Sequence, residues 1–445
     1  MVKPMFLNAR QAFPFVLVFA GAAGFVFCQS APPFPDARAS DPKVLGWMKG
    51  TPPPPDKIIR AEDGSFLRFP QTRWSFSHMR ELVPTANVSR GAGPVSALPR
   101  AERADIDSIA YVPLGGSAPS TWRESLEANY TDGIVVLHRG RIVYERYFGA
   151  LSPDGQHIAF SVTKSFFGTI AAALIAEGTI DAKATVARYL PELKNSGFGD
   201  ATVAQVLDMT TGVKFVEDYT DPASDYFDYR AVHQPYLRPA AYAGPDHVYA
   251  YLATLQKKSE HGVEFKYRSV HTDVLGWILT RVTGKAPAEL LSERIWGPMG
   301  AEEDASLRVG PAAIQMPAGG LSCRLRDFAR FGEMMRLDGR FNGRQIIPAA
   351  VAADIRKGGS PAAFAGAGYK MLPGGSYHNQ WWILHNEHGA YTARGIHGQG
   401  IYIDPKAEMV IARFASSPAA GNVGLDPTTL PAYAALAEHL MAKPR

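Results

Sequence analysis

Phe160-Ser161-Val162-Thr163-Lys164-Ser165-Phe166 sets a serine hydroxyl and a lysine amine three residues apart. On a helix, positions i and i+3 share a face with Cβ atoms about 5–6 Å apart, so the amine reaches the hydroxyl. A serine hydroxyl is a weak nucleophile at neutral pH and needs a base beside it. A lysine supplies one when burial or nearby cations lower its pKa. At the first turn of a helix Ser161 also stands next to unpaired N–H groups and the positive end of the dipole, a setting that suits a developing oxyanion. The same spacing occurs in Ser40-Asp41-Pro42-Lys43, inside a proline-rich stretch with no periodic helix behind it. Ser161 differs in standing between a strand-like approach and a strongly apolar helix. Local pattern alone leaves open a helix N-cap serine with a solvated lysine.

Other chemistries fit less well. Gly-x-Ser-x-Gly, the usual signature of a Ser-His-Asp hydrolase at a strand-to-helix turn, does not occur. His385 and His388 have the spacing of a metal pair, but on a strand they would point to opposite faces, so no metal is expected. His271 and His397 stand close in sequence to other candidate residues and read as structural. The pairs Gly358-Gly359 and Gly374-Gly375 lack the Lys and Ser/Thr of a phosphate loop, and no cofactor is expected.

Several elements must position the serine. A hairpin runs from Ile134 through a turn at Arg139-Gly140-Arg141 to Phe148. The helix that follows starts near Ser161, buries Val162, Phe166, Ile170, Leu174 and Ile175, and ends at Gly178. Residues 182–310 alternate helical patterns with polar and aromatic loops and read as a helical domain. After Gly319-Gly320 come a helix from Leu325 to Leu337, strands at Gln380–Leu384, Gly400–Ile403 and Met409–Phe414, and a closing helix from about Thr429 to Met441. Strands at both ends with helices between them imply an α/β (α+β) fold, with 105–181 and 311–445 sharing one sheet flanked by helices. Residues 40–104, rich in proline yet carrying Trp47, Trp74 and Phe76, read as an irregular extension laid on that domain.

The chain's 445 residues include 46 Lys and Arg against 42 Asp and Glu, a formal charge of +4 that is dispersed and gives no track for nucleic acid. Cys28 and Cys323 are the 2 cysteines, too few for a disulfide framework or a cysteine zinc site. Lys3 and Arg10 precede an apolar run from Ala12 to Cys28, so residues 1–39 read as a signal peptide and the chain as exported, to a periplasm, with an uncleaved anchor as the alternative.

Phe160–Phe166 opening a helix resembles the Ser-x-x-Lys motif of the serine β-lactamase and penicillin-binding-protein superfamily. Tyr267-Arg268-Ser269, with Tyr267 106 positions after Ser161, resembles its Tyr-x-Asn or Tyr-x-Ser element. Lys-Thr-Gly is absent. Ala393-Arg394-Gly395-Ile396-His397-Gly398-Gln399-Gly400 is instead similar to the third element of the esterase-like and amidase-like branch, in particular the 6-aminohexanoate-dimer hydrolases. The resemblance, over about 105–443, implies a β-lactamase-like mixed antiparallel sheet with an all-helical insert. It implies an acyl-enzyme on Ser161, with Lys164 and Tyr267 moving protons and the N–H groups of Ser161 and Ile396 holding the oxyanion. It also implies substrate contacts at Tyr219, Asp228, Ser269, Trp382 and Gly395, with Gly395 letting substrate approach the backbone, while strand alternation turns Trp381 to the other face. The expected substrate is a small amide, ester or short peptide. A carboxylesterase, a D-peptide peptidase or β-lactamase-like enzyme, and a non-catalytic cell-wall or peptide-binding protein remain as alternatives.

Overall fold

Apolar residues on both sides of Arg139-Gly140 build the hairpin on which the sheet grows. In the computed structural model, which describes residues 34–442, β-strands Thr131–His138 and Arg141–Tyr147 pair around that turn, with Gly140 at φ 73°. Of the segment read as a signal peptide, residues 1–33 fall outside the described part. No helix among the described residues is long and apolar enough to cross a membrane.

In chain order the strands that matter here are β1 (Thr85–Val88), β2 (Thr131–His138), β3 (Arg141–Tyr147), β4 (His157–Ile158), β5 (Ala305–Arg308), β6 (Leu321–Cys323), β7 (Ser376–His378), β8 (Trp381–Ile383), β9 (Tyr391–Arg394), β10 (Gly400–Asp404) and β11 (Met409–Ala415). The helices that matter here are α1 (Val162–Ala176), α2 (Asp225–His233), α3 (Val270–Thr283), α4 (Leu325–Arg336), α5 (Ala349–Lys357) and α6 (Asp426–Ala442). The main sheet has 7 strands in the order β7-β8-β9-β10-β11-β2-β3, and every pairing is antiparallel. β11 from the C-terminal part lies directly against β2 from the N-terminal part, in register Ile411 to Val136. Both strands are buried along nearly their whole length, because α1 and α4 cover one face and α6 covers the other.

A second sheet, ordered β1-β5-β6-β4, braces the approach to α1. Its strand β5 lies inside the 182–310 stretch read as helical. Its four residues, Ala-Ser-Leu-Arg, are all buried, the run is too short to establish a strand period, and its partner β1 comes from the distant extension.

Residues 40–104 contribute a small core of their own. Ile59, Phe66, Phe76 and Met79 are buried together with Ile158 and Phe160 of the main domain. Arg73 adds a buried ion pair with Asp132 on β2 at 2.7 Å. The aromatics of this extension are thus packed against the residues that lead into the candidate serine.

Candidate active site

α1 is buried almost all round, so its polar residues need partners inside the protein. Thr163 Oγ1 donates to the Phe160 carbonyl at 2.6 Å and Ser165 Oγ to the Gln380 carbonyl at 2.7 Å. Ser161 occupies the N-cap, and Phe160 before it takes φ 43°, a left-handed conformation costly for a bulky residue. Packing holds it there: the Phe160 ring lies edge-on to Phe76 at 4.8 Å and 5.6 Å from the His397 ring.

The turn so fixed presents Ser161 to a cavity of about 220 Å³ lined also by Tyr219, Tyr267, Trp382, Gly395 and Ile396. Lys164 Nζ lies 3.2 Å from Ser161 Oγ and donates to Ser269 Oγ at 3.0 Å and to the Ala318 carbonyl. The lysine is 1% exposed. Burial lowers its pKa to about 8, against the opposing pull of the Glu217 and Asp273 carboxylates. At neutral pH a usable fraction of the amine is therefore free base.

Tyr267 stacks on Trp382 at 5.4 Å, with Lys164 Nζ 5.5 Å from its ring centre, and its side chain interacts with that of Ser161. Burial, then the nearby Glu217 charge, raises the phenol well above its usual pKa of 10. It is a neutral donor here. The basic group of the set is the lysine.

Glu217 is the residue that sequence reasoning missed. Its carboxylate accepts from Ser269 Oγ at 2.7 Å, from the Ser269 N–H and from the Tyr219 hydroxyl at 2.6 Å. In Glu217-Asp218-Tyr219-Thr220-Asp221 three carboxylates stand within five residues, and nothing in the pattern tells which one turns inward. Arg394 and Asp426 were missed as well. They form an ion pair at the cavity wall, with the guanidinium 5.7 Å from the Trp382 ring centre.

Two expected substrate contacts, Ser269 and Asp228, do not line this cavity. The Ser269 hydroxyl instead bridges Lys164 and Glu217. Asp228 is exposed on α2, whose buried face consists of Tyr229, Ala231, Val232 and His233, and it lies outside the cavity. Gly395 lines the cavity and meets a second constraint. A Cβ there would stand 2.7 Å from the Ala159 carbonyl oxygen and 3.2 Å from the Ser161 nitrogen, so the missing side chain lets β9 abut the serine's own loop. The backbone N–H groups of Ser161 and Ile396, brought together by that approach, donate to no backbone acceptor among the described residues.

Tyr219 and Trp382 line the cavity, while Trp381 turns into the core and donates to Thr169 Oγ1 at 3.0 Å. His385 and His388 lie in the loop after β8 and not on a strand, and they bond separately, to Ser376 at 2.7 Å and to Asp404 at 2.7 Å. His271 bonds Thr211 at 2.6 Å and His397 bonds the Ser417 carbonyl at 2.7 Å. Burial holds the His271 and His397 pKa values down, at about 3 and about 4. Ser40 is buried and bonded to the Asp36 carbonyl, and Lys43 is exposed.

Comparison with known proteins adds an independent line. The family model described as Beta-lactamase matches residues 124–433. The 6-aminohexanoate-dimer hydrolase of Paenarthrobacter ureafaciens is 34% identical over 391 residues, covering 86% of this chain and 91% of that protein. A solved structure from Bacillus anthracis, whose description carries the words 6-aminohexanoate-dimer hydrolase, superposes with a TM-score of 0.79 at 36% identity, over 89% of this chain and 100% of its own. A family VIII carboxylesterase shares the fold at 20% identity and a TM-score of 0.53, over 71% of this chain and 96% of its own.

Proposed function

The chain belongs to the Beta-lactamase family and is a serine hydrolase of amide or ester bonds, and from that premise we propose that Ser161 is its nucleophile, Lys164 its base and Tyr267 its proton donor. The observation that carries this reading is the single chain of contacts Ser161–Lys164–Ser269–Glu217, whose two ends line the cavity, beside two N–H groups that donate to no backbone acceptor among the described residues. Neutral Lys164 takes the Ser161 proton as Oγ bonds to the carbonyl carbon. The carbonyl oxygen becomes an oxyanion held by the N–H groups of Ser161 and Ile396, each such donor being worth about a hundredfold or more in rate. Collapse breaks the bond to the leaving nitrogen or oxygen, which takes the Tyr267 phenol proton, and the Lys164 ammonium restores that proton. The acyl-enzyme is then hydrolysed by a water that loses its proton along the same route in reverse.

The cavity favours a linear, largely apolar acyl chain, since Trp382, Tyr369, Met371, Leu372 and Val423 form much of its wall. With the 34% identical relative named for its action on the 6-aminohexanoate dimer, a short aliphatic amide of that kind is the proposed substrate class. Export belongs to the same proposal, supported by the apolar run Ala12 to Cys28.

The test is a panel of p-nitrophenyl esters, 6-aminohexanoate dimer, D-alanyl peptides and a chromogenic cephalosporin, on wild type and Ser161→Ala, with fluorophosphonate labelling and intact mass in parallel. Ser161→Ala is expected to lose turnover and label, and Ser40→Ala neither. Labelling of Ser161→Ala at the wild-type level ends the assignment, and ligand binding with no acyl mass shift would point to a non-catalytic binder.

A further inference from the structure

Arg308, the last residue of β5, is 5% exposed, and its Nε is buried without a hydrogen-bond partner. The guanidinium interacts with the Tyr236 hydroxyl, but among the described residues no carboxylate lies within ion-pair distance of it. A buried guanidinium cannot shed its charge, and folded proteins pair such cations because leaving one uncompensated is costly. Arg308 lines a cavity of about 430 Å³, formed where β5 and the loop after α2 meet the entry to β1. The same cavity is lined by His233, Tyr236 and Arg238. Arg238 is held by the Ala231 carbonyl at 3.0 Å and by Asp246, whose side chain is 90% exposed, so that carboxylate faces water and leaves Arg308 unneutralised. Asp246 itself also lines this cavity, and the rest of the wall, including Val83, Pro84, Val309 and Pro311, is apolar. None of these residues belongs to the Ser161 cavity.

We propose that this second cavity is a binding site for a small aliphatic carboxylate, its anionic group on Arg308 with Arg238 at the mouth and its hydrocarbon part against Val83, Val309 and the prolines. Two features select this ligand class. The guanidinium fork matches a carboxylate in two-point geometry. The apolar lining rewards a chain behind the charge, which inorganic phosphate lacks. The inference stands independently of the roles assigned to Ser161, Lys164 and Tyr267.

The experiment is isothermal titration of sodium hexanoate, hexanamide and inorganic phosphate into the full chain carrying Ser161→Ala, so that no turnover intervenes, alone and combined with Arg308→Met or Arg238→Gln. Hexanoate is expected to bind, hexanamide at least tenfold more weakly, and Arg308→Met to weaken hexanoate at least tenfold while circular dichroism stays unchanged. If Arg308→Met fails to fold, the Arg238→Gln isotherm decides, with a several-fold loss expected. No hexanoate binding, or binding indifferent to the substituted arginine, overturns the proposal. Phosphate bound more tightly than hexanoate, with the same arginine dependence, overturns the carboxylate assignment.

Discussion

Glu217→Gln removes one negative charge next to the reactive lysine while keeping an oxygen that Ser269 and Tyr219 can use. Lys164 Nζ and the Glu217 carboxylate are joined through Ser269 Oγ by bonds of 3.0 and 2.7 Å, which places the two charges within about 6 Å of each other. At an effective dielectric of about 20 their attraction is roughly 3 kcal/mol, or about two pKa units. Burial sets the Lys164 pKa at about 8 with that attraction in place. Without it the value drops to roughly 6. With the neutral amine as the proposed base, kcat/KM rises with pH through this pKa, and the neutral fraction at pH 7 grows from about one tenth to about nine tenths. The assay is kcat/KM for a p-nitrophenyl ester from pH 5 to 9.5, read at a wavelength where the released phenol is insensitive to pH. The ascending limb is expected to move down by about two units. The plateau height reports geometry lost at Ser269 and is read separately from the midpoint. A limb that stays in place, or moves up, refutes the argument that Glu217 tunes Lys164.

Three further outcomes follow from the same geometry. Lys164→Met abolishes turnover yet lacks the wild type's pH-dependent penalty: with a native pKa of about 8 against 10.5 for an unperturbed lysine, the unfolded chain binds more protons between those values, so wild-type stability climbs with pH across that window by up to about 3 kcal/mol relative to the variant, as urea unfolding at pH 8 and 10 would show. Gly395→Ala forces its Cβ against the Ala159 carbonyl and displaces the Ile396 amide, which should cut the rate of fluorophosphonate labelling by about a hundredfold; an unchanged rate would mean that this amide takes no part. Phe76→Leu loosens the ring that sits 4.8 Å from Phe160 and 5.1 Å from His397, the neighbours of both proposed oxyanion amides, so kcat should fall about tenfold at constant KM with at most about 1.5 kcal/mol lost in unfolding; a change in stability alone would reduce Phe76 to core packing.

Local periodicity and short motifs made much of the molecule legible. The hairpin around Arg139-Gly140, the helix after Ser161, the strands at Trp381–Ile383, Gly400–Asp404 and Met409–Ala415, and the Ser161, Lys164 and Tyr267 set can be read from residue order, because each depends on side-chain spacing over a few residues or on a motif kept at characteristic distance. Period-2 alternation likewise separates Trp381 from Trp382. What tertiary structure alone decided is where long-range neighbours meet. Glu217 becomes the partner of Ser269 across 52 residues, Asp228 is carried to the solvent face of α2, and β5 joins a sheet whose strands β1 and β4 lie far along the chain. The extension's Phe76 comes to rest on the turn before Ser161 and on the residue after Ile396. None of these placements follows from local pattern. A carboxylate's partner, a glycine's close approach and a lysine's desolvation are properties of the space that other segments fill, and that space exists only once the chain has closed.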